Sequence, residues 1–123
     1  MTWTLDKSRP ICPQIGELIC VAIASGELSA NERLPSVREI ALAAGVNPNT
    51  VQKALDELER RGVIHSVPCS GWYVNECSDV AAQEVNLLRE KKAKEYLLAM
   101  AQLGCDADGA IQYLKTVKEE NND

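Results

Sequence analysis

The chain has 123 residues, 46% of them hydrophobic and 25% charged, with a formal net charge of −5, which fits one ordinary domain, or one small domain with an appended element, and excludes a disordered chain. The acidic balance excludes a non-specific coat for nucleic acid, which needs clustered Lys and Arg, but permits a sequence-specific binder that gathers a few cations on one face. Residues 1–77 hold 7 basic and 9 acidic side chains, and residues 78–123 hold 6 and 9, so any such footprint is local.

The five cysteines, Cys12, Cys20, Cys69, Cys77 and Cys105, are odd in number and fit neither zinc-ribbon nor CxxC spacing. With His65 the single histidine, the residues offer no metal-ligand cluster. They read as reduced, mostly structural thiols, with no cofactor expected. Phe is absent, so the core is expected to be aliphatic. No run approaches a membrane span and the N-terminus lacks the pattern of a signal peptide. The expected compartment is the cytoplasm, without membrane association.

Residues 1–9 read as an extended, loosely held arm ending at Pro10. A first helix follows, with Pro13 in its first turn and Ile15, Leu18, Ile19 and Ala22 at helical spacing, stopped by Gly26. A second helix opens at Ser36 with Glu39 three residues on, the pattern of a capping box, and closes at Gly45. The chain restarts at once: Asn47 is a good N-cap, Pro48 suits the first helical position, and Val46 is placed to pack against Val51. A short helix closed by Gly and reopened immediately is the pattern of a helix-turn-helix.

In the third helix Val51, Ala54, Leu55 and Leu58 share one face, and Asn49, Lys53, Asp56 and Arg60 lie opposite, with Thr50 and Gln52 on the flanks. Asn and Gln pair bidentately with adenine, Lys reaches guanine or phosphate, and Thr contacts a thymine methyl or a phosphate, so the first two turns carry the chemistry of base reading. A merely solvated face would look similar. The turn that precedes it is what favours the reader of DNA.

Residues 63–67 and 72–74 then read as a hairpin around Pro68-Cys69-Ser70-Gly71, a wing whose tip can meet the DNA backbone or minor groove, with Trp72 on its apolar underside. From Ser78 or Asp79 a long helix runs to about Leu103, with Gly104 as its stop. Its apolar residues cluster toward the ends, around a charged middle that reads as a solvated face. Asp106 caps a last, short helix carrying Ala110, Ile111, Leu114 and Val117 at helical spacing. About 45 residues in two helices cannot bury both stripes alone, so some of that surface must meet the winged domain or a second copy of the chain, a dimer being the economical answer. The expected fold is mainly α with a small β-hairpin (α+β): a winged helix-turn-helix over 1–77, then a two-helix dimerisation element over 78–123.

The segments PICPQI, LPSVREIA, GVNPNTVQKALDELERRGVI and SGWYV resemble the GntR-type winged helix-turn-helix regulators, and the short two-helix tail is similar to the YtrA-like subfamily. The resemblance covers residues 10 to about 117 and is most specific from Leu34 to Ile64. It implies DNA contacts by Arg38 on the second helix and by Asn47, Asn49, Thr50, Gln52 and Lys53 at the start of the third. Many such regulators carry arginines where this chain has Pro48 and Gln52, so their base readout does not transfer. Residues 62–75 hold no Lys or Arg, so wing contacts fall to Ser70, Gly71 and backbone amides. The tail is too short to enclose a metabolite pocket; an effector of unknown identity would bind shallowly or at a dimer seam.

The reading is a homodimeric transcriptional repressor acting on a palindromic double-stranded operator, which by resemblance lies upstream of its own operon and of adjacent transporter genes. A winged-helix protein-interaction module that does not touch DNA is the competing reading, motivated by the acidic balance and the poor wing. Redox sensing through Cys69 and Cys77 lacks a neighbouring cation or base to activate a thiol. An enzyme is the poorest fit, without triad, phosphate loop or metal cluster.

Overall fold

A computed structural model of the chain describes residues 1–76 and 79–121. The elements run α1 (Ile11–Ala24), α2 (Val37–Ala44), α3 (Pro48–Arg60), β1 (Ile64–Val67), β2 (Gly71–Val74), α4 (Asp79–Gln102) and α5 (Ala107–Asn121), the mainly helical fold with one hairpin that the sequence leads one to expect. They form two compact units, Met1–Asn86 and Leu87–Asp123. The expected boundary at 77/78 differs from this division because Ala81 and Val85, on the first two turns of α4, are buried and Ala81 belongs to the first unit's core. Cys77 and the alternative cap Ser78 lie outside the described residues.

The local signals that close and reopen the chain are realised in detail. Ser36 Oγ accepts from the Glu39 amide at 3.1 Å, and the Glu39 carboxylate accepts from the Ser36 amide at 3.2 Å. That carboxyl is held below its usual range, first by the Ser36 amide and then by the Ser36 hydroxyl. Two of the four amide donors left open at a helix start are thereby satisfied. Gly45 follows with φ 70 and ψ 39, a left-handed conformation that costs other residues, and its amide bonds to the Ala41 carbonyl. Asn47 then caps α3 by accepting from the Asn49 amide at 2.8 Å, with Pro48 in the first turn.

The core of the first unit is aliphatic. Ile15 and Ile19 of α1, Ile40 of α2, and Val51, Leu55 and Leu58 of α3 are fully buried together with Val63, Ile64 and Val74. Val46, just before the α3 cap, is half-buried against the same cluster. Trp72 also packs against it, as an apolar underside to the wing.

Residues 1–9 are not the loose arm that their composition suggests. Trp3 and Leu5 pack on the core, and the buried Gln14 side chain clasps the segment. Its Oε1 accepts from the Asp6 amide at 2.8 Å, while its Nε2 donates to the carbonyls of Asp6 (2.8 Å), Pro10 (2.9 Å) and Arg9 (3.2 Å). A buried polar side chain is tolerated because its hydrogen-bonding capacity is used.

The hairpin pairs Ile64 with Val74, His65 with Tyr73, Ser66 with Trp72 and Val67 with Gly71. A short extended segment, not foreseen in the sequence, lies along β2. Arg33 forms a bridge with Tyr73, supported by bonds from the Leu34 amide to the Trp72 carbonyl (2.8 Å) and from the Val74 amide to the Glu32 carbonyl (2.9 Å).

In the second unit, Asp106 caps α5 by accepting from the Gly109 amide at 2.8 Å, and the Tyr96 hydroxyl donates to the Ala110 carbonyl at 2.6 Å. At 15 residues α5 is longer than expected. Ala110 is the one buried side chain among the described residues of this unit.

Removing the Ser36 hydroxyl should lower stability by about 1 kcal/mol, the usual worth of such a cap. The check is the chemical-denaturation midpoint of Ser36→Ala; an unchanged midpoint would show that the box contributes nothing.

Candidate nucleic-acid interface

The α3 helix presents two chemically opposite faces. Val51, Ala54, Leu55 and Leu58 are buried, and this fixes which residues must point outward. Asn49, Gln52, Lys53 and Asp56 are exposed and Thr50 is half-buried. Arg38 is exposed on α2, and a shallow hollow lined by Arg38, Leu42, Gly45, Asn47 and Pro48 joins it to the start of α3. The hollow sets Asn47 and Pro48 beside the expected anchor, whereas Lys53 lines a separate cleft with Cys12, Glu17, Glu57 and Arg61.

Two of the expected contact residues are already engaged. The Asn47 side-chain oxygen serves as the α3 cap, which leaves its amide nitrogen as the group able to face a partner. Gln52 Nε2 donates one hydrogen to Asp56 Oδ1 at 3.0 Å, which leaves its second amide hydrogen and Oε1 for an adenine.

Sorting the cations of the first unit narrows the electrostatic footprint. Arg9 pairs with Asp6, Arg60 with Glu57, and Arg61 with Glu84. Lys7 donates to the carbonyls of Ala44 and Gly45, both at 3.3 Å, where the carbonyl end of α2 favours a positive charge. Lys7 and Arg9, which could have extended a basic patch, are thus occupied in holding the fold. Arg33, Arg38 and Lys53 remain, with no ion pair among the described residues.

The wing differs from its sequence reading. The Ser70 amide donates to the Val67 carbonyl at 3.0 Å to close the turn, and the Ser70 hydroxyl is hydrogen-bonded to the Tyr73 hydroxyl. The Ser70 amide is thus committed to the turn, while its hydroxyl is shared with Tyr73, either group able to donate. Gly71 is in β2 with φ 132, beneath the Arg33 side chain. Arg33 is the residue that sequence reasoning missed. Its signal was faint, a cation just before Leu34-Pro35 whose pairing with Tyr73 depends on a single bridge.

Two other expected features are structural. Cys20 is buried, and burial pushes its thiol up to about 11, in the inert direction. His65 stacks on Tyr73 and bonds Asn75 through Nδ1. Cys69 is exposed at the wing turn; no group of His, Cys, Asp and Glu suited to a metal occurs among the described residues.

The sequence pattern of the bacterial regulatory proteins of the gntR family matches residues 13–74, from α1 to the end of the wing. The chain belongs to the gntR family. Gene regulators of Bacillus subtilis align with this GntR chain along nearly all of its length. One is the uncharacterized HTH-type transcriptional regulator YhcF, 30% identical over 93% of this chain and 94% of its own. Another is the HTH-type transcriptional repressor YtrA, 29% identical over 93% and 88%. Among solved structures, a GntR family transcriptional regulator from Listeria monocytogenes superposes with a TM-score of 0.74 at 33% identity, covering 91% of this chain and 98% of that one. The AraR DNA-binding domain in complex with operator ORE1 matches with a TM-score of 0.52 at 29% identity, over 54% and 80%. The first of these structures extends the likeness beyond the winged helix to the two-helix tail.

Within this GntR fold the wing is fastened to α3 by one carboxylate. Glu59 accepts from the Ser66 amide at 2.8 Å and the Ser66 hydroxyl at 2.9 Å, and these bonds, the amide foremost, hold its carboxyl below the usual range. A depressed folded-state pKa contributes stability above the unfolded value and loses it as pH falls through the folded one. The stability difference between the native chain and Glu59→Gln should therefore be present at neutral pH and vanish under acid. Thermal melts of both across that range check this; a difference independent of pH would count against the anchor.

Proposed function

We propose that this GntR-family transcriptional regulator acts in the cytoplasm as a homodimeric repressor on a palindromic operator. Each α3 lies in a major groove, with Asn49, Thr50, Gln52 and Lys53 reading bases, Asn47 at the helix start beside them, and Arg38 anchoring a phosphate. The observation that carries the reading is that burial of Val51, Leu55 and Leu58 turns Asn49, Gln52 and Lys53 outward on α3, whose start shares a shallow hollow with the exposed Arg38. The relative named a repressor and the AraR domain solved on its operator support it. Repression follows from occlusion of the promoter, and the DNA upstream of the chain's own reading frame, serving its operon and neighbouring transporter genes, is the target.

Dimerisation is supported by the second unit. Leu98 is 63% exposed, and Leu87, Leu103, Ile111, Leu114 and Val117 are also exposed, more apolar surface than a small helical hairpin keeps in water. A second copy is the fitting occupant, because a palindromic site needs two readers. One α3 with so few cations binds weakly, and two tethered readers gain effective concentration. No helix among the described residues is long and apolar enough to cross a membrane.

Asn49→Ala or Lys53→Ala is expected to abolish the shifted band on the upstream DNA while leaving the dimer intact; unchanged binding by both would sink the α3 assignment. Arg38→Ala should weaken binding and flatten its dependence on salt. Sedimentation provides the separate check on assembly, where the double substitution Leu98→Glu and Leu114→Glu should yield monomer. A dimer that survives these two charges places the interface elsewhere.

A further inference from the structure

The wing of this chain has no Lys or Arg of its own between Gly62 and Asn75, and its Ser70 amide closes the turn. We propose that Arg33, delivered to the wing from the extended segment before α2, is the wing's phosphate-contacting cation. The proposal rests on the DNA-binding reading given above.

The geometry follows from strand register. Side chains alternate between the faces of a sheet, and residues directly opposite one another share a face. Ile64 and Val74 are buried and Trp72 packs on the core, so these mark the inner face. His65 and Tyr73 therefore point outward, along with Val67 and Gly71. Arg33 lies opposite Tyr73 on its other side, so its side chain emerges on the same outer face, in the row Arg33–Tyr73–His65.

From there the guanidinium leans along β2 to Gly71, toward the turn. A Cβ at position 71 would stand 3.1 Å from Arg33 Nε and 3.4 Å from Nη2, closer than a neighbour normally sits. The φ of 132 at Gly71 independently excludes an unstrained L side chain. Glycine thus makes the bed in which the guanidinium rests, next to the Pro68–Ser70 turn. Of the carboxylates near Arg33, Glu39 accepts from the Ser36 amide and feels the Arg33 charge without pairing with it, and Glu32 accepts from the Ser29 amide at 3.4 Å. Arg33 has no ion pair among the described residues. A planar donor fork, always charged and held at the root of a wing tip, is suited to a phosphate oxygen pair.

A contact of this kind carries charge but no base information, which separates it from the α3 residues. Each phosphate neutralised on duplex DNA adds about 0.9 to the slope of log affinity against log salt. Binding is measured by fluorescence anisotropy on two labelled duplexes, the DNA upstream of the reading frame and a scrambled duplex of equal length, at several salt concentrations. Arg33→Ala should lower the slope by about 0.9 per protomer and weaken both duplexes by the same factor, so that their ratio is unchanged. Arg33→Lys should restore most of the slope, and Gly71→Ala, which displaces the guanidinium, should reproduce the loss. Thermal melts establish that each variant is folded. A slope for folded Arg33→Ala equal to that of the native chain overturns the proposal and leaves the α3 reading standing, as does a change in the ratio of the two duplexes without a change in slope. Failure of the native chain to bind either duplex at low salt overturns the DNA-binding reading itself, and this proposal with it.

Discussion

The direction in which α3 points depends on a single left-handed residue. Gly45 turns the chain out of α2 with φ 70 and returns its amide to Ala41, and within three residues Asn47 and Pro48 have begun the next helix. Little free chain lies between, so the angle of α3 is set by this turn together with the burial of Val51, Leu55 and Leu58. Because the inner face is fixed, the outer one follows, and Asn49 and Lys53 are presented without needing any interaction of their own. The Lys7 ammonium at the end of α2 strengthens the same turn from outside, which draws the N-terminal segment into the geometry of the reader.

Positive charge is scarce in the first unit, and the fold spends Lys7, Arg9, Arg60 and Arg61 on itself, held by carboxylates or carbonyls. An acidic regulator of this kind keeps a weak general attraction for DNA, which limits its occupancy of the many non-specific sites that compete with an operator. The GntR membership and the likeness to a Listeria regulator place this economy on a scaffold known for gene regulation. The tail enters that logic through its exposed Leu98 and Leu114.

Much of the fold was legible because its signals are local. A capping box, a left-handed glycine and a proline in the first turn of a helix act within four residues, and Ser36–Glu39, Gly45 and Asn47–Pro48 were all readable as such. The buried face of α3 was readable because periodicity and burial agree. What escaped is what depends on chain segments meeting from a distance. The pairing of Arg33 with Tyr73 spans forty residues and leaves no periodic trace, so the wing looked devoid of cations. The arm looked loose because Trp3 and Leu5 are too few to form a pattern. The engagement of Ser70 and Gln52 by their neighbours was invisible for the opposite reason: both are short-range, but hydroxyls and amides have several partners to choose among, and composition does not say which they take.

The clasp at Gln14 constrains what the chain can become. Its carbonyl receives one amide, while its two amide hydrogens serve three backbone oxygens. Glutamate would meet those three oxygens with no donor as a carboxylate, and lysine would leave the Asp6 amide without an acceptor. Even the slow chemical loss of the side-chain nitrogen, which converts glutamine to glutamate in ageing protein, would turn the clasp into a repulsive contact and release the segment that carries Lys7 toward the turn. The durability of the reader's geometry is thus tied to the chemical lifetime of one amide that never approaches DNA.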